Sequence, residues 1–140
     1  MPHKVTIPDY VIERIMAKRG KLSVFDSFEA AKTAFLVIDM QNFYVAEVDT
    51  AISIVPNVNR IAEACRAKGV PVVWVQMKCA DKEGDPSQWP IYHDHFFTDA
   101  KAHNHLTKLS PGNPGYELYP DLDVKDDDVF VTKRRFSPFI

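Results

Sequence analysis

The sequence predicts an α/β fold, a three-layer Rossmann-like parallel sheet with helices on both faces. Residues 35–38 and 72–75 are apolar runs rich in β-branched and aromatic side chains, which is typical of strands inside a sheet. A helix-length segment with an amphipathic pattern lies between them. Strand, helix and strand in this order form a βαβ unit, in which the strands are parallel and the crossover is right-handed. With a third strand near the end of the chain, the predicted strand order is 3-2-1.

The chain begins with a predicted helix over residues 8–20. Asp9 suits the N-cap of this helix, apolar residues repeat at helical spacing after it, and Gly20 suits its end. Because the helix precedes the first strand, we expect residues 1–32 to form a helical arm and connector. The arm would pack on the body of the protein or on a neighbouring subunit, and residues 33–140 would form the main domain.

Strand one is predicted over residues 33–39, with both faces covered because its central residues are all apolar. A loop would follow to about residue 50. In the crossover helix, Pro56 suits the first turn and Gly69 suits the end. Cys65 lies on the apolar face of this helix, where we expect a small core residue and not a nucleophile.

Strand two is predicted over residues 70–77, with Trp74 in the core, and strand three over residues 128–132. The segment between these strands is long and rich in loop-forming residues. Segments of this length in compact domains usually carry function or contain helix. We therefore expect a helix within residues 94–108.

Two oppositely charged residues stand at the ends of predicted strands. Asp39 directly follows strand one, and Lys133 directly follows strand three. The carboxyl ends of parallel strands meet at one edge of a sheet, where open α/β folds bind ligands. A charge at the end of a buried strand is costly unless it has a partner or a function. We therefore expect Asp39 and Lys133 to form a site, the alternative being that Asp39 only caps a turn or a helix.

The composition of the 140 residues is that of an ordinary globular protein, with 46% hydrophobic and 26% charged residues. The net charge of −2 gives no electrostatic case for nucleic acid or an anionic membrane as a partner. The first residues lack the apolar core of a signal peptide, so the cytoplasm is the expected location. The two cysteines, Cys65 and Cys79, form no motif together, and no disulfide is expected.

Four short motifs occur in order along the chain. They are Thr-Ala-Phe-Leu-Val-Ile-Asp-Met-Gln-Asn-Phe from residue 33, Val-Pro-Val-Val-Trp-Val-Gln from residue 70, Gly-Tyr-Glu-Leu-Tyr-Pro-Asp-Leu from residue 115 and Val-Thr-Lys-Arg-Arg-Phe-Ser-Pro-Phe from residue 131. Together they resemble the strand signatures and the lysine motif of the isochorismatase-like cysteine hydrolases. The arm and the long insertion are most similar to the branch of N-carbamoylsarcosine and ureidoacrylate amidohydrolases.

The resemblance implies a catalytic set of aspartate, lysine and cysteine. Asp39 would be the general base and Lys133 its cationic partner, and a cysteine thiolate would attack a small amide or N-carbamoyl compound. The resemblance places that cysteine after a fourth strand, beyond residue 140. Neither Cys65 nor Cys79 matches its motif, so neither is assigned the role.

The same resemblance implies that Gln41, Phe43 and Phe136 bind the substrate, the alternative for Gln41 and Phe43 being ordinary packing of the loop. Two alternatives to amide hydrolysis remain open: vinyl-ether hydrolysis of the isochorismatase type, which needs no cysteine, and a catalytically inactive fragment. We expect the chain to be the N-terminal part of a longer enzyme, or one half of a split enzyme completed by a separate chain. We also expect a homo-oligomer and no cofactor.

Two His-x-His pairs lie in the long segment, His93 with His95 and His103 with His105. Histidine is the commonest metal ligand in proteins. Related nicotinamidases bind a divalent metal through an Asp-x-His motif after strand two, and the sequence Cys-Ala-Asp-Lys-Glu-Gly from residue 79 lacks it. No metal site is therefore predicted, and we expect the pairs to shape a pocket or an oligomer contact.

Overall fold

The computed structural model describes residues 6–80 and 82–139. Residues 1–5 of the predicted arm lie outside this range. In chain order the elements are α1 (Asp9–Arg19), a 3-10 turn (Ala30–Lys32), β1 (Phe35–Ile38), α2 (Asn42–Val45), α3 (Asp49–Arg66), β2 (Val72–Met77), α4 (Pro90–Phe96), α5 (Asp99–Lys108) and β3 (Val129–Lys133). None of these helices has the length and apolar character needed to cross a membrane.

The three strands form one parallel sheet in the order β1-β2-β3, with β2 in the middle. This is the predicted order 3-2-1 read from the other edge. The register aligns Ile38 of β1 with Val75 of β2, and Lys133 of β3 with Met77 of β2. The carboxyl ends of all three strands therefore meet at one edge of the sheet, as an α/β fold requires.

Helix α3 packs on one face of this sheet. Its buried residues Val55 and Ala62 contact Val37 of β1 and the β2 residues Val72 and Trp74. Trp74 has no exposed surface, which confirms its predicted place in the core. Burial of these apolar side chains is the main favourable contribution to the fold in this region.

The start of α3 differs from the prediction. The helix begins at Asp49, so Pro56 lies in its interior and not in its first turn. Asp49 suits that start because a negative charge stabilises the N-terminal end of a helix. Gly69 follows the helix in the left-handed conformation, with φ of 69°, and its N–H donates to the Arg66 carbonyl.

The prediction that both faces of β1 are covered is wrong for this chain. Alternate side chains of a strand point to opposite faces. Val37 faces α3 and is buried, whereas Leu36 and Ile38 point to the other face and are exposed. No helix of the described part covers these two residues, and β1 is an edge strand of the sheet.

Helix α1 confirms the predicted helix but not its packing on the body. Its first residue is Asp9, Pro8 occupies the N-cap position, and Gly20 ends it in the left-handed conformation. None of the residues of α1 is buried. The long segment after β2 contains two helices, α4 and α5, where the sequence predicted one, because Pro90 begins an additional helix.

A charged network joins α3 to the amino end of β3. The carboxylate of Asp128 accepts hydrogen bonds from Arg66 Nε at 2.9 Å, Arg66 Nη2 at 2.5 Å, Trp74 Nε1 at 2.8 Å and the backbone N–H of Lys125 at 3.0 Å. The Asp128 side chain is only 3% exposed. The hydrogen bonds from Arg66 outweigh this burial and lower the pKa of Asp128 to about 2.

Candidate active site

Asp39 occupies the carboxyl tip of β1 in an unusual backbone conformation. Its backbone N–H donates to the carbonyl of Val75 at 2.9 Å, which continues the pairing of β1 with β2. Its φ is +59°, and it is the one non-glycine residue of the described part with positive φ. This conformation costs roughly 1–2 kcal/mol for a residue with a Cβ, and such strain is found mainly at functional sites.

Lys133 forms an ion pair with Asp39 across the end of β2. Lys133 Nζ donates to Asp39 Oδ2 at 2.8 Å and to the backbone carbonyl of Phe136 at 3.3 Å. The lysine side chain is 6% exposed and the aspartate side chain 34%. The predicted placement of both residues at one sheet edge is confirmed, and the partial burial limits screening of their attraction by solvent.

The second carboxylate oxygen of Asp39 has no hydrogen-bond partner among the described residues. Asp39 Oδ1 is buried and accepts no hydrogen bond from the described residues. Buried polar atoms are almost always paired, so an exception in a native fold calls for an explanation. A carboxylate held by one oxygen and open at the other can accept a proton from a group placed beside it.

Gln41 has a structural role in the described fold, and its predicted contact with substrate stays a prediction. Its side chain has no exposed surface. Gln41 Nε2 donates to the carbonyls of Met77 at 3.0 Å and Tyr116 at 2.7 Å, and Oε1 accepts from the N–H of Met77 at 2.7 Å. These bonds use the donors and an acceptor of the amide, so Gln41 ties the chain after β1 to the end of β2.

Phe43 and Phe136 lie in an aromatic region that Tyr92 connects. Phe43 lines a cavity of about 410 Å³ together with Tyr44, Tyr92 and Phe97. Phe136 is exposed and packs edge-on against Tyr92, with ring centroids 5.1 Å apart. Since its own carbonyl also accepts from Lys133, Phe136 lies directly beside the charged pair. The predicted role of both residues in substrate binding stays a prediction.

A second polar cluster, which the sequence did not predict, surrounds Cys79. Its Sγ lies 3.3 Å from His105 Nδ1, and this nitrogen lies 3.0 Å from His93 Nε2. The cluster takes one histidine from each His-x-His pair, and all three side chains are buried. The sequence contains these two histidines twelve residues apart, but their contact depends on the turn between α4 and α5.

The protonation states in this cluster follow from burial. Burial raises the pKa of the Cys79 thiol to about 12 and lowers the pKa of His105 to about 4, with His93 contributing to the second shift. The pKa of His93 is also lowered, mainly by burial. Tyr44, whose hydroxyl lies 3.3 Å from His105 Nε2, has a raised pKa because of burial and the nearby charge of Asp39. At neutral pH the four groups are therefore uncharged, and Cys79 is not an activated thiolate.

Neither cysteine has the surroundings of a catalytic nucleophile. Cys65 packs from α3 against the hydrophobic core, as predicted. Cys79 has no exposed surface and contacts Met77 and Leu109 in a second apolar cluster. A reactive cysteine usually lies in an electropositive and partly exposed place, which describes neither residue.

A family model described as the isochorismatase domain matches residues 33–140. Curated relatives include a protein of Arabidopsis thaliana named probable inactive nicotinamidase, 35% identical over 113 residues, which are 76% of this chain and 54% of that protein. The ureidoacrylate amidohydrolase RutB of Klebsiella pneumoniae is 27% identical over 129 residues, which are 81% of this chain and 54% of that protein. The chain spans about half the length of the curated relatives it matches.

Solved structures share the fold. A cysteine hydrolase from Pseudomonas syringae pv. phaseolicola has a TM-score of 0.64 at 22% identity, and the match covers 85% of this chain and 54% of that one. An N-carbamoylsarcosine amidase from Thermoplasma acidophilum has a TM-score of 0.55 at 22% identity, covering 77% of this chain and 55% of that one. At these identities the likeness establishes the α/β fold and nothing finer.

Proposed function

Because the chain belongs to the isochorismatase family, we propose that the protein hydrolyses a small amide or N-carbamoyl compound with Asp39 and Lys133 in its catalytic set. The observation that carries this proposal is the Asp39–Lys133 pair itself. One carboxylate oxygen is held by the lysine at 2.8 Å, and the other is buried without a partner in the described residues. A general base needs this combination of a fixed position and a free acceptor.

In the proposed reaction Asp39 Oδ1 takes the proton of a nucleophilic thiol. The thiolate adds to the carbonyl carbon of the substrate, and the carbonyl π electrons move to its oxygen. When the carbonyl re-forms, the carbon–nitrogen bond breaks, and the proton on Asp39 passes to the leaving nitrogen, so that ammonia or an amine departs. Water then adds to the thioester carbonyl while Asp39 accepts one of its protons. When the carbonyl re-forms, the carbon–sulfur bond breaks, the acid product departs, and the proton on Asp39 returns to sulfur to regenerate the thiol.

Lys133 has two tasks in this scheme. It fixes the orientation of the Asp39 carboxylate through Oδ2, and its positive charge stabilises the negative charge that Asp39 shares with the thiolate. The thiol itself is assigned to the protein beyond residue 140. Both cysteines of this chain are packed among apolar side chains, which supports that assignment.

The experiment is a substrate panel on the intact protein, with ammonia release as the readout for ureidoacrylate, N-carbamoylsarcosine and nicotinamide. Isochorismate is included in the panel to test for vinyl-ether hydrolysis. We expect ammonia from at least one amide or N-carbamoyl compound. Lys133→Met should lower kcat by about 10²-fold or more, because it removes the group that fixes the base. Lys68→Met, the same change at an exposed lysine, should leave the rate unaltered.

Three outcomes would reject the proposal. The first is turnover of isochorismate without ammonia release from any amide. The second is no turnover of any panel compound, which would place the protein beside the relative that is named probable inactive. The third is a Lys133→Met variant that hydrolyses the amide as fast as the parent.

A further inference from the structure

Three potential metal ligands converge from three separate elements. Cys79 follows the end of β2, His93 lies in the last turn of α4, and His105 lies in α5. Cys79 Sγ, His93 Nε2 and His105 Nδ1 all lie within 4.8 Å of one another, and all three side chains are buried. Such a set is unusual for a core, because three potential ligand atoms of buried side chains lie against one another.

The second nitrogen of each imidazole is held from outside the cluster. His93 Nδ1 lies 3.1 Å from the carbonyl of Trp89. A carbonyl only accepts, so this nitrogen carries the hydrogen and His93 Nε2 presents a lone pair to the cluster. His105 Nε2 lies 3.3 Å from the hydroxyl of Tyr44, which can accept its hydrogen and leave Nδ1 as a second inward lone pair. Outer hydrogen bonds of this kind orient metal-binding histidines in proteins.

Two of the three distances between the inward atoms are close to those around a small tetrahedral ion, and Cys79 Sγ and His93 Nε2 lie within 4.8 Å of each other. His105 Nδ1 lies 3.0 Å from His93 Nε2 and 3.3 Å from Cys79 Sγ. Zinc binds nitrogen at about 2.0–2.1 Å and thiolate sulfur at about 2.3 Å, which places tetrahedral ligands roughly 3.3–3.6 Å apart. Lengthening these two distances by a few tenths of an ångström would therefore match the ligand spacing of a zinc ion.

We propose that Cys79, His93 and His105 form a zinc-binding site. Binding replaces the thiol proton of Cys79 with the metal, so one proton is released to solvent for each Zn²⁺ bound and no oxidant or reductant is needed. Three protein ligands leave the fourth position of a tetrahedral ion for water or another small ligand. The ligand set differs from an Asp-x-His motif, since two of its members come from α4 and α5. The site does not depend on the proposed hydrolase activity.

The same atoms can also form a hydrogen-bonding pattern without metal. The metal-bound and metal-free arrangements predict different experimental results. Without metal, Tyr44 can donate to His105 Nε2, His105 Nδ1–H to His93 Nε2, and His93 Nδ1–H to the Trp89 carbonyl. This chain of hydrogen bonds leaves no strong acceptor for the Cys79 thiol. If the three residues serve only this hydrogen-bonding pattern, the protein binds no zinc, and a substitution of Cys79 changes only the packing.

The test uses the intact protein, stripped with a chelator and titrated with Zn²⁺. We expect one zinc per chain by elemental analysis, a higher unfolding temperature with zinc than without it, and no such effect of Mg²⁺, which prefers oxygen ligands. Cobalt in place of zinc should give a thiolate-to-cobalt charge-transfer band. This spectrum is read on the unsubstituted protein, so it does not depend on whether a variant folds.

Matched variants identify the ligands. Cys79→Ala, His93→Ala and His105→Ala should each lower zinc affinity more than about 100-fold, beyond the loss usual for groups around the ligands. His95→Ala, His103→Ala and Cys65→Ser remove the remaining members of the histidine pairs and the other cysteine, and they should bind zinc as the parent does. The proposal is overturned if the parent takes up no stoichiometric zinc, if its cobalt form lacks the charge-transfer band, or if the control variants lose zinc and the ligand variants keep it.

Discussion

The two ends of β3 each carry an ion pair, and the two pairs are built differently. At the amino end, both oxygens of Asp128 are used by hydrogen bonds from Arg66, Trp74 and Lys125. At the carboxyl end, Asp39 receives Lys133 on one oxygen, and its other oxygen is unpaired in the part of the chain that the structure describes. A fully paired carboxylate stabilises the fold, whereas an open one is available for chemistry.

The backbone conformation also distinguishes the two sites. Asp39 has φ of +59°, a conformation that costs energy and that surrounding structure must hold in place. Gln41, two residues later, supplies part of that support by tying the chain to Met77 and Tyr116. Within the described residues, the carboxyl edge of this sheet therefore holds a strained backbone and a buried carboxylate oxygen without a hydrogen bond, and Asp128 at the amino edge has neither.

Breaking the paired site should have the largest effect on stability. Asp128→Asn removes the charge that Arg66 binds with two nitrogens and leaves the partly buried guanidinium with Asp123, at 3.1 Å, as its remaining acidic partner. We expect the free energy of unfolding to fall by about 3 kcal/mol, as for other broken buried pairs. Chemical denaturation measures this value. Asp126→Asn, at an exposed acidic position nearby, is the matched control, and an equal loss in both variants would show that the network has no special weight.

Acid should weaken the same site without any substitution. The folded pKa of Asp128 is about 2, below its ordinary value of 3.8. A carboxyl group whose pKa is lower in the folded state than in the unfolded state stabilises the fold at pH values above the unfolded pKa. This contribution is lost as pH falls from about 4 towards 2. The shift corresponds to about 2 kcal/mol of unfolding free energy. Denaturation curves at several pH values should show this decline in the parent and a flatter profile in Asp128→Asn; parallel profiles would refute the assignment.

The smallest stability effect is expected at the open site. Asp39→Asn keeps an oxygen for Lys133 Nζ, has no hydrogen bond at Oδ1 to lose, and suits the left-handed backbone that asparagine tolerates. We expect its free energy of unfolding to fall by about 1–2 kcal/mol, because the buried Lys133 ammonium loses its counter-ion while the amide oxygen and the Phe136 carbonyl still accept from Nζ. Asp39→Ala, which lacks the oxygen and adapts less well to positive φ, should lose more. A loss at Asp39→Asn as large as that at Asp128→Asn would remove the contrast between the two sites.

The sequence predicted the parts of this picture that depend on chain direction and periodicity. Apolar runs separated by an amphipathic helix imply parallel strands, and parallel strands bring Asp39 and Lys133 to one edge. The position of Trp74 followed from its place among valines in strand two. These inferences need only local pattern and topology, which is why they agree with the structure.

Features that depend on tertiary contacts were missed. The burial of Gln41 follows from its fit to the backbone of Met77 and Tyr116, and residue 116 lies 75 positions away in the sequence. The cluster of Cys79, His93 and His105 depends on how α4 and α5 pack, while the pattern drew attention to neighbouring histidines in each pair. The exposed face of β1 was missed because an apolar run does not say whether a layer lies on both of its sides.

The measurement that tests the central claim most directly is kcat of Asp39→Asn in the intact protein, on a substrate found by the ammonia-release panel. Unfolding is followed on the same preparations. We predict that kcat falls by about 10²–10⁴-fold while the protein stays folded, because the proton acceptor is gone and the packing is kept. A folded Asp39→Asn variant with kcat near that of the parent would contradict the assignment of Asp39 as the general base.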